Sequence, residues 1–554
     1  MTPQMFRITR RRFLKLAGAG MAMGALAACG SAAATPTATT VPQATQAPAT
    51  PVPPTPTATT VETPAVATAA TVVSTEAATA TSAPTATEAV VPTATAAPTA
   101  TTTPAAEIRV LVVGDPFQFA LQKVIGDYTN ETGSKVNLES LAYDALNARL
   151  ITSFVSKTPD ADVVTVDAMW MGQYYDNGWV IALDDYIGAD KSTDIKDFIP
   201  EVLHSLNTWR GHMITLPIAA YGQGVMYRTD VLQEAGVQAP PTDPASAGDW
   251  TWEKYVEELQ SLNGKTLAGT KMFGTVVCGA QPQPIVHMYT QLAASRGVRW
   301  FKQFPEATPW DFTPTIDSPE NASSLDMYKT LYSLSPAEAI NYVWFDAGTR
   351  FSQGDIAMFY WWTPYFYLVK NDGYMSGKPA KIADKYAVAI LPKASSGTPQ
   401  VISNGGWSLG IPSTSAKKDA GWQFVKWACS ATTQKKMALV PDYNYQFSDF
   451  ARASLYQDAD LKKIYPYLDT QLGILKMGDG KLVRPPCPIY STLEGIYGLQ
   501  LNKVLAGTAT PADSLKETAT LFNNALTGNL MIPYAQPSYA DTLENTQKLI
   551  DSLA

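Results

Sequence analysis

The sequence predicts an α/β protein built as two lobes, and three observations lead there. A β-α-β-α-β run occupies residues 108–167, the pattern of a sheet with helices on both faces. Strand-like and helix-like segments then continue to the C-terminus. The body from residue 106 to 554 also exceeds the roughly 250–300 residues at which a single core stops growing, so it should divide in two.

The elements can be justified in order. Residues 1–29 read as an export signal: Thr9-Arg10-Arg11-Arg12-Phe13-Leu14-Lys15 precedes a short apolar stretch, Leu16 to Ala28. That stretch is too short to cross about 30 Å of hydrocarbon as a helix. It resembles a twin-arginine signal, and Leu26-Ala27-Ala28-Cys29-Gly30 resembles a bacterial lipobox, which implies lipidation of Cys29. Residues 30–105 read as a disordered linker, because 31–105 hold 24 Thr, 23 Ala and 12 Pro with no aromatic residue. A coil of that length spans on the order of 50 Å and would hold the body off a membrane.

In the body, Ile108–Gly114 reads as a buried strand, 117–131 as a helix and Lys135–Leu138 as a second strand. A helix follows over about 142–155, then a third strand, Asp162–Asp167. This order predicts a parallel sheet, whose ligands sit beyond the carboxyl ends of the strands. Asp115 and Asp167 fall there, with Gln118 in the helix after the first of them. Each Asp could equally serve only to cap its helix. Later helices are expected at 253–263, 321–334, 417–429, 432–438, 492–506 and 511–527. Strands are expected at 224–227, 386–390 and 407–411. The segment 280–315, rich in Pro and Gln, reads as a loop.

Charge and motif content remove several classes. The net charge is −8 and the body has no basic run, which opposes a nucleic-acid partner. Cys278, Cys429 and Cys487 form no C-x-x-C and read as buried thiols. Gly406-Trp407-Ser408-Leu409-Gly410 matches a nucleophile elbow formally. That motif needs a helix straight after the Ser and a His later in the chain. Here Ile411-Pro412 follows, and His204, His212 and His287 all precede Ser408. His204 and His212 lack the spacing of a zinc pair, so neither a metal nor a cofactor is expected.

A series of blocks resembles the family 1 extracellular solute-binding proteins, the sugar receptors of ABC importers. Thr158-Pro159-Asp160-Ala161-Asp162-Val163-Val164 is similar to the family's early strand, followed by Tyr174-Tyr175-Asp176-Asn177-Gly178-Trp179 and Leu183-Asp184-Asp185. Met226-Tyr227-Arg228-Thr229-Asp230 with Glu234-Ala235-Gly236, then Phe351 to Met358 and Gly405-Gly406-Trp407 to Pro412, continue the resemblance over roughly 107–530.

The resemblance implies a type II periplasmic-binding-protein-like fold, two α/β lobes on a hinge. By similarity to maltose-binding protein, 107–219 and 402–475 form lobe one, and 222–400 and 476–554 form lobe two. It implies a receptor, not an enzyme: a monomer, extracytoplasmic, anchored by lipid on Cys29 to the outer face of the cell membrane. It would deliver a carbohydrate, an oligosaccharide by expectation, to permease subunits. A receptor for glycerol-phosphate or another small solute is the alternative, and a secreted carbohydrate-active enzyme a more distant one. Sugar hydroxyls call for polar side chains and sugar C–H faces for flat rings. That selects Asp115, Gln118, Asp167, Trp170, Tyr221, Gln223, Trp361, Trp362, Asn404, Trp407 and Tyr490 as candidate contacts. The two adjacent Trp are expected just past a strand, one facing the cleft and one the core.

Overall fold

Strand Glu107–Val113 forms where the chain carries an almost unbroken apolar run, and Ile108 and Val110 to Val113 are buried. We describe a computed structural model over residues 105–395, 397, 399–440, 447–528 and 539–554. The export signal, Cys29 and the linker up to residue 104 lie outside the described residues.

Helix Pro116–Thr132 starts with Pro at its first position, where the missing N–H is not needed. Helix Tyr143–Ser156 buries Leu146, Leu150 and Phe154, four residues apart and so on one face. Strand Lys135–Leu141 pairs parallel to Glu107–Val113 on one side, and Val163–Val166 pairs parallel on the other.

The first sheet has five strands, in the order 135–141, 107–113, 163–166, 405–410, 216–221. It is not wholly parallel, as the opening pattern predicted. Gly405–Gly410 runs antiparallel to both its neighbours. That strand enters from the second sheet rather than through a βαβ crossover, so no helix fixes its direction.

The second sheet is antiparallel, with Gln223–Arg228 between Met358–Trp362 and Tyr386–Ala389. Trp361 and Trp362 therefore lie within a strand, not after one, opposite Gly224 and Gln223. Strand alternation still sends their rings to opposite faces. The chain passes between sheets with one intervening residue: Tyr221 ends a strand of the first and Gln223 begins a strand of the second. At the crossing the Thr363 N–H donates to the Gly222 carbonyl at 2.9 Å, and the Gly222 N–H donates to Thr363 Oγ1 at 3.3 Å.

The segment 280–315 is not a loop. Residues Gln283–Ser295 form a helix buried on nearly every side, and Phe301–Gln303 pairs with Asp311–Pro314. Pro282 and Pro284 sit at the helix start, where they are tolerated, and Ile285 to Ala294 supply the apolar surface. The terminal helix Leu543–Leu553 packs on Pro200–Asn207. Among the described residues no helix is long and apolar enough to cross a membrane. Cys278, Cys429 and Cys487 are all buried and free, as expected.

Candidate ligand-binding site

On the first sheet's side of the seam, Asp115 follows strand Glu107–Val113 and Tyr221 ends strand Leu216–Tyr221. The Tyr221 hydroxyl donates to the Asp115 carboxylate, and the Trp407 indole N–H lies close enough to favour its charge. Burial pushes Asp115 up to about 6, against the pull of those donors. Asp167 caps helix Ala168–Asp176 by accepting from the Met169 amide at 3.0 Å. Its other oxygen accepts from the Tyr143 hydroxyl at 3.0 Å. Rings gather around that hydroxyl: Trp170 lies 4.9 Å and Trp407 5.9 Å from Tyr143, and Trp170 lies 6.0 Å from Trp407.

The second sheet's elements meet this group directly. Trp344, at the start of helix Trp344–Ser352, lies 5.9 Å from Tyr143. Its indole N–H donates to His287 Nδ1 at 3.3 Å. His287 Nε2 lies 3.1 Å from Glu494 Oε1, which also accepts from the Tyr490 hydroxyl at 2.8 Å. Arg484 lies over the Trp362 ring, its guanidinium carbon 5.1 Å from the ring centre. Trp362 in turn presses on Gly405 of the first sheet, where an added Cβ would stand 2.8 Å from the ring. Trp362 thus sits at the seam, not in the core of one sheet.

The structure brings Asp115, Asp167, Trp170, Tyr221, Trp362, Trp407 and Tyr490 to this seam. The remaining candidates have internal uses. Gln118 donates to Gln122, Gln223 to the His287 carbonyl, Asn404 to the Leu475 carbonyl and the Trp361 indole to the Trp344 carbonyl. Sequence reasoning missed Tyr143, His287, Trp344, Arg484 and Glu494. The one signal in the chain is Arg484 itself, a lone base between Val483 and Pro485-Pro486.

Ser408 is buried mid-strand and its hydroxyl accepts from Asn207, so it forms no nucleophile elbow. Among the described residues no group of His, Cys, Asp and Glu could hold a metal ion. An open concavity of about 470 Å³ lies away from the seam at Arg149 and Asp160, but these already pair at 2.8 Å.

Asp449 lies beside the crossing. It is fully buried, accepting from Thr363 Oγ1 at 2.8 Å and Gln471 at 2.9 Å. Burial, reinforced by Asp115, holds its carboxyl well above the usual range, so the folded chain keeps this proton to higher pH than the unfolded chain. From about pH 4 upward the unfolded chain releases this proton more readily than the folded chain does. Stability from this group therefore falls as pH rises. Asp449→Asn should remove that slope: the variant should melt above the parent at pH 8 and level with it near pH 4. Parallel melting curves across that range would refute the assignment.

Residues 115–435 match the family described as bacterial extracellular solute-binding protein. The chain belongs to that family. It is 26% identical over 404 residues to the mannitol-binding protein of Pseudomonas aeruginosa, covering 70% of this chain and 81% of that one. Among solved structures it resembles an ABC transporter solute-binding protein of Agrobacterium radiobacter in complex with ribitol. The TM-score is 0.66 at 27% identity, over 76% of this chain and 99% of that one. A maltose-bound protein of T. maritima shares the fold, with TM-score 0.63 at 20% identity over 76% and 100%. The two-lobed α/β expectation therefore holds. The family places this solute-binding protein outside the cytoplasm and among the binding proteins of transporters.

Proposed function

We propose that this chain captures a neutral polyhydroxyl compound, a sugar or sugar alcohol, and delivers it to the permease of an ABC importer. The observation that carries the reading is the seam: carboxylates and flat rings from both sheets meet in one place. Carboxylates accept from hydroxyls, and the rings cover C–H faces. The seam holds three carboxylates (Asp115, Asp167 and Glu494) against one guanidinium, Arg484, which opposes glycerol-phosphate or any other anion. The similarity to mannitol- and ribitol-binding proteins supports the same class.

In this reading lobe one comprises 107–219 and 402–475, and lobe two 222–400 and 476–554. Ligand bridges them and shifts an open–closed equilibrium toward the closed form. The chain acts as a monomer, tethered through lipid on Cys29 by the Thr/Ala/Pro linker.

A thermal-shift panel tests the ligand class. D-mannitol, ribitol, maltose, glycerol 3-phosphate and spermidine are each titrated against the full chain. A neutral member at 100 times its dissociation constant should add about 2.7 kcal/mol to stability. A shift with the phosphate or the polyamine alone would overturn the reading.

A further inference from the structure

The hydrogen-bond roles at His287 have one consistent assignment. The Trp344 indole can only donate, so His287 Nδ1 accepts and carries no proton. Burial, with Arg484 close by, holds His287 well below its ordinary pKa, so the ring is neutral. Its one proton must then sit on Nε2, and Nε2–H donates to Glu494 Oε1. Arg484 Nη1 lies 3.2 Å from that same nitrogen, but it meets an N–H there and not a lone pair.

Two groups are left short of partners. Arg484 is 2% exposed, and among the described residues only its Nε has an acceptor, Ser403 Oγ at 3.3 Å. Glu494 is also 2% exposed; its Oε1 takes both recorded bonds and Oε2 takes none. Neither Glu494 Oε2 nor Arg484 Nη2 is wholly enclosed, so a polar group arriving from outside can supply the missing partners. Both flank one ring nitrogen; Arg484 lies over the Trp362 ring, and the charge of Glu494 reaches Tyr143 of the other side.

We propose that Arg484 and Glu494, set on either side of His287, read a vicinal diol of the ligand, with Trp362 beneath its C–H face. One hydroxyl donates to Glu494 Oε2, and its neighbour's oxygen accepts from the Arg484 fork. His287 and Trp344 are positioning residues. Trp344 fixes the tautomer that holds Glu494 away from Arg484, which keeps the fork open to the ligand. The inference rests on the proposed carbohydrate reading and adds the groups that select within it.

The pH dependence has a definite sign. Burial pushes Glu494 up to about 7, with Arg484 and the Tyr490 hydroxyl pulling the other way. Asp144 and Tyr143 also face it from the helix across the seam, and His287 from its own side. A hydroxyl donating to Oε2 favours the ionised carboxylate, so affinity should rise as pH rises through about 7.

Calorimetric titration of the full chain provides the test, with whichever of D-mannitol, ribitol and maltose stabilises it. Arg484→Met and Glu494→Gln should each weaken binding at least about 100-fold, while Arg484→Lys should keep part of the affinity. Glu494→Gln should also flatten the pH profile between pH 6 and 8, which a merely structural role would not do. A ligand-side arm needs no variant: monodeoxy analogues of the same compound should bind unequally, with at least one at least about 100-fold weaker. Unchanged affinity and pH profile in Glu494→Gln, or all analogues within threefold, would overturn the inference and leave the carbohydrate reading intact. Failure of all three parent compounds to bind the wild type would overturn both.

Discussion

Asp541→Ala should destabilise the fold by about 3–5 kcal/mol, the range for a buried ion pair that loses one partner. Lys481 is wholly buried, and its ammonium meets Asp541 Oδ2 at 2.6 Å, the Thr208 carbonyl at 2.6 Å and Thr208 Oγ1 at 3.1 Å. Burial pulls Lys481 below its ordinary pKa, and Asp541 is the chief group opposing that shift. Without Asp541 the ammonium must lose its proton or open a path to water. The pair also joins three distant stretches. Lys481 lies in a short helix, Thr208 follows helix Pro200–Asn207, and Asp541 leads into helix Leu543–Leu553. In that last helix Thr546 lies 3.0 Å from His204 Nδ1. Loss of the carboxylate should therefore loosen the packing of the terminal helix as well. Replacing both partners, Lys481→Met with Asp541→Leu, should recover most of the stability, since no charge is then buried alone. Urea melts of the two singles and the double measure this directly. A single variant within about 1 kcal/mol of the parent would show that the pair is reached by water.

The parts of this fold readable in the sequence are those whose signals are local. The strands and helices of 107–166 announce themselves by apolar runs and four-residue spacing, and they lie within a few residues of where the pattern sets them. Helix Gln283–Ser295 escaped because it is buried all round, so no amphipathic stripe marks it, and its flanking prolines imitate a loop. The site divides the same way. Asp115 and Asp167 were legible because the ends of parallel strands are known ligand positions. Asp167 was also an obvious cap, and it does both: one oxygen caps while the other holds Tyr143. Glu494 and Arg484 were not legible. Each meets His287 across about two hundred residues of sequence, and only the chain's returns between the sheets bring them together. An acid in a helix and a base beside prolines carry no mark of that meeting.

Gly406→Ala should be among the most damaging single substitutions in the body, because two independent effects add. Gly406 has φ +120°, a conformation that L side chains rarely adopt. A Cβ there would also stand 2.1 Å from the Ala219 carbonyl oxygen of the paired strand. That oxygen belongs to the backbone of the sheet's edge strand, Leu216–Tyr221, and cannot swing aside as a side chain would. The strain costs about 1–3 kcal/mol and the overpacking a similar amount. Relief would require strands Gly405–Gly410 and Leu216–Tyr221 to part. The next residue is Trp407, whose indole N–H lies near Asp115 and whose ring meets Tyr143, so parting the strands would also tilt the first side of the seam. Gly405→Ala should behave differently. Its Cβ would meet the Trp362 ring at 2.8 Å and Arg484 Nη2 at 3.2 Å, both side-chain atoms of the opposite side. Those groups can shift, so Gly405→Ala should weaken ligand binding while lowering the melting temperature little. Melting temperature and affinity measured on both variants separate the two roles. If Gly405→Ala proved the less stable and Gly406→Ala kept full stability, the close contacts assigned to this glycine pair would be wrong.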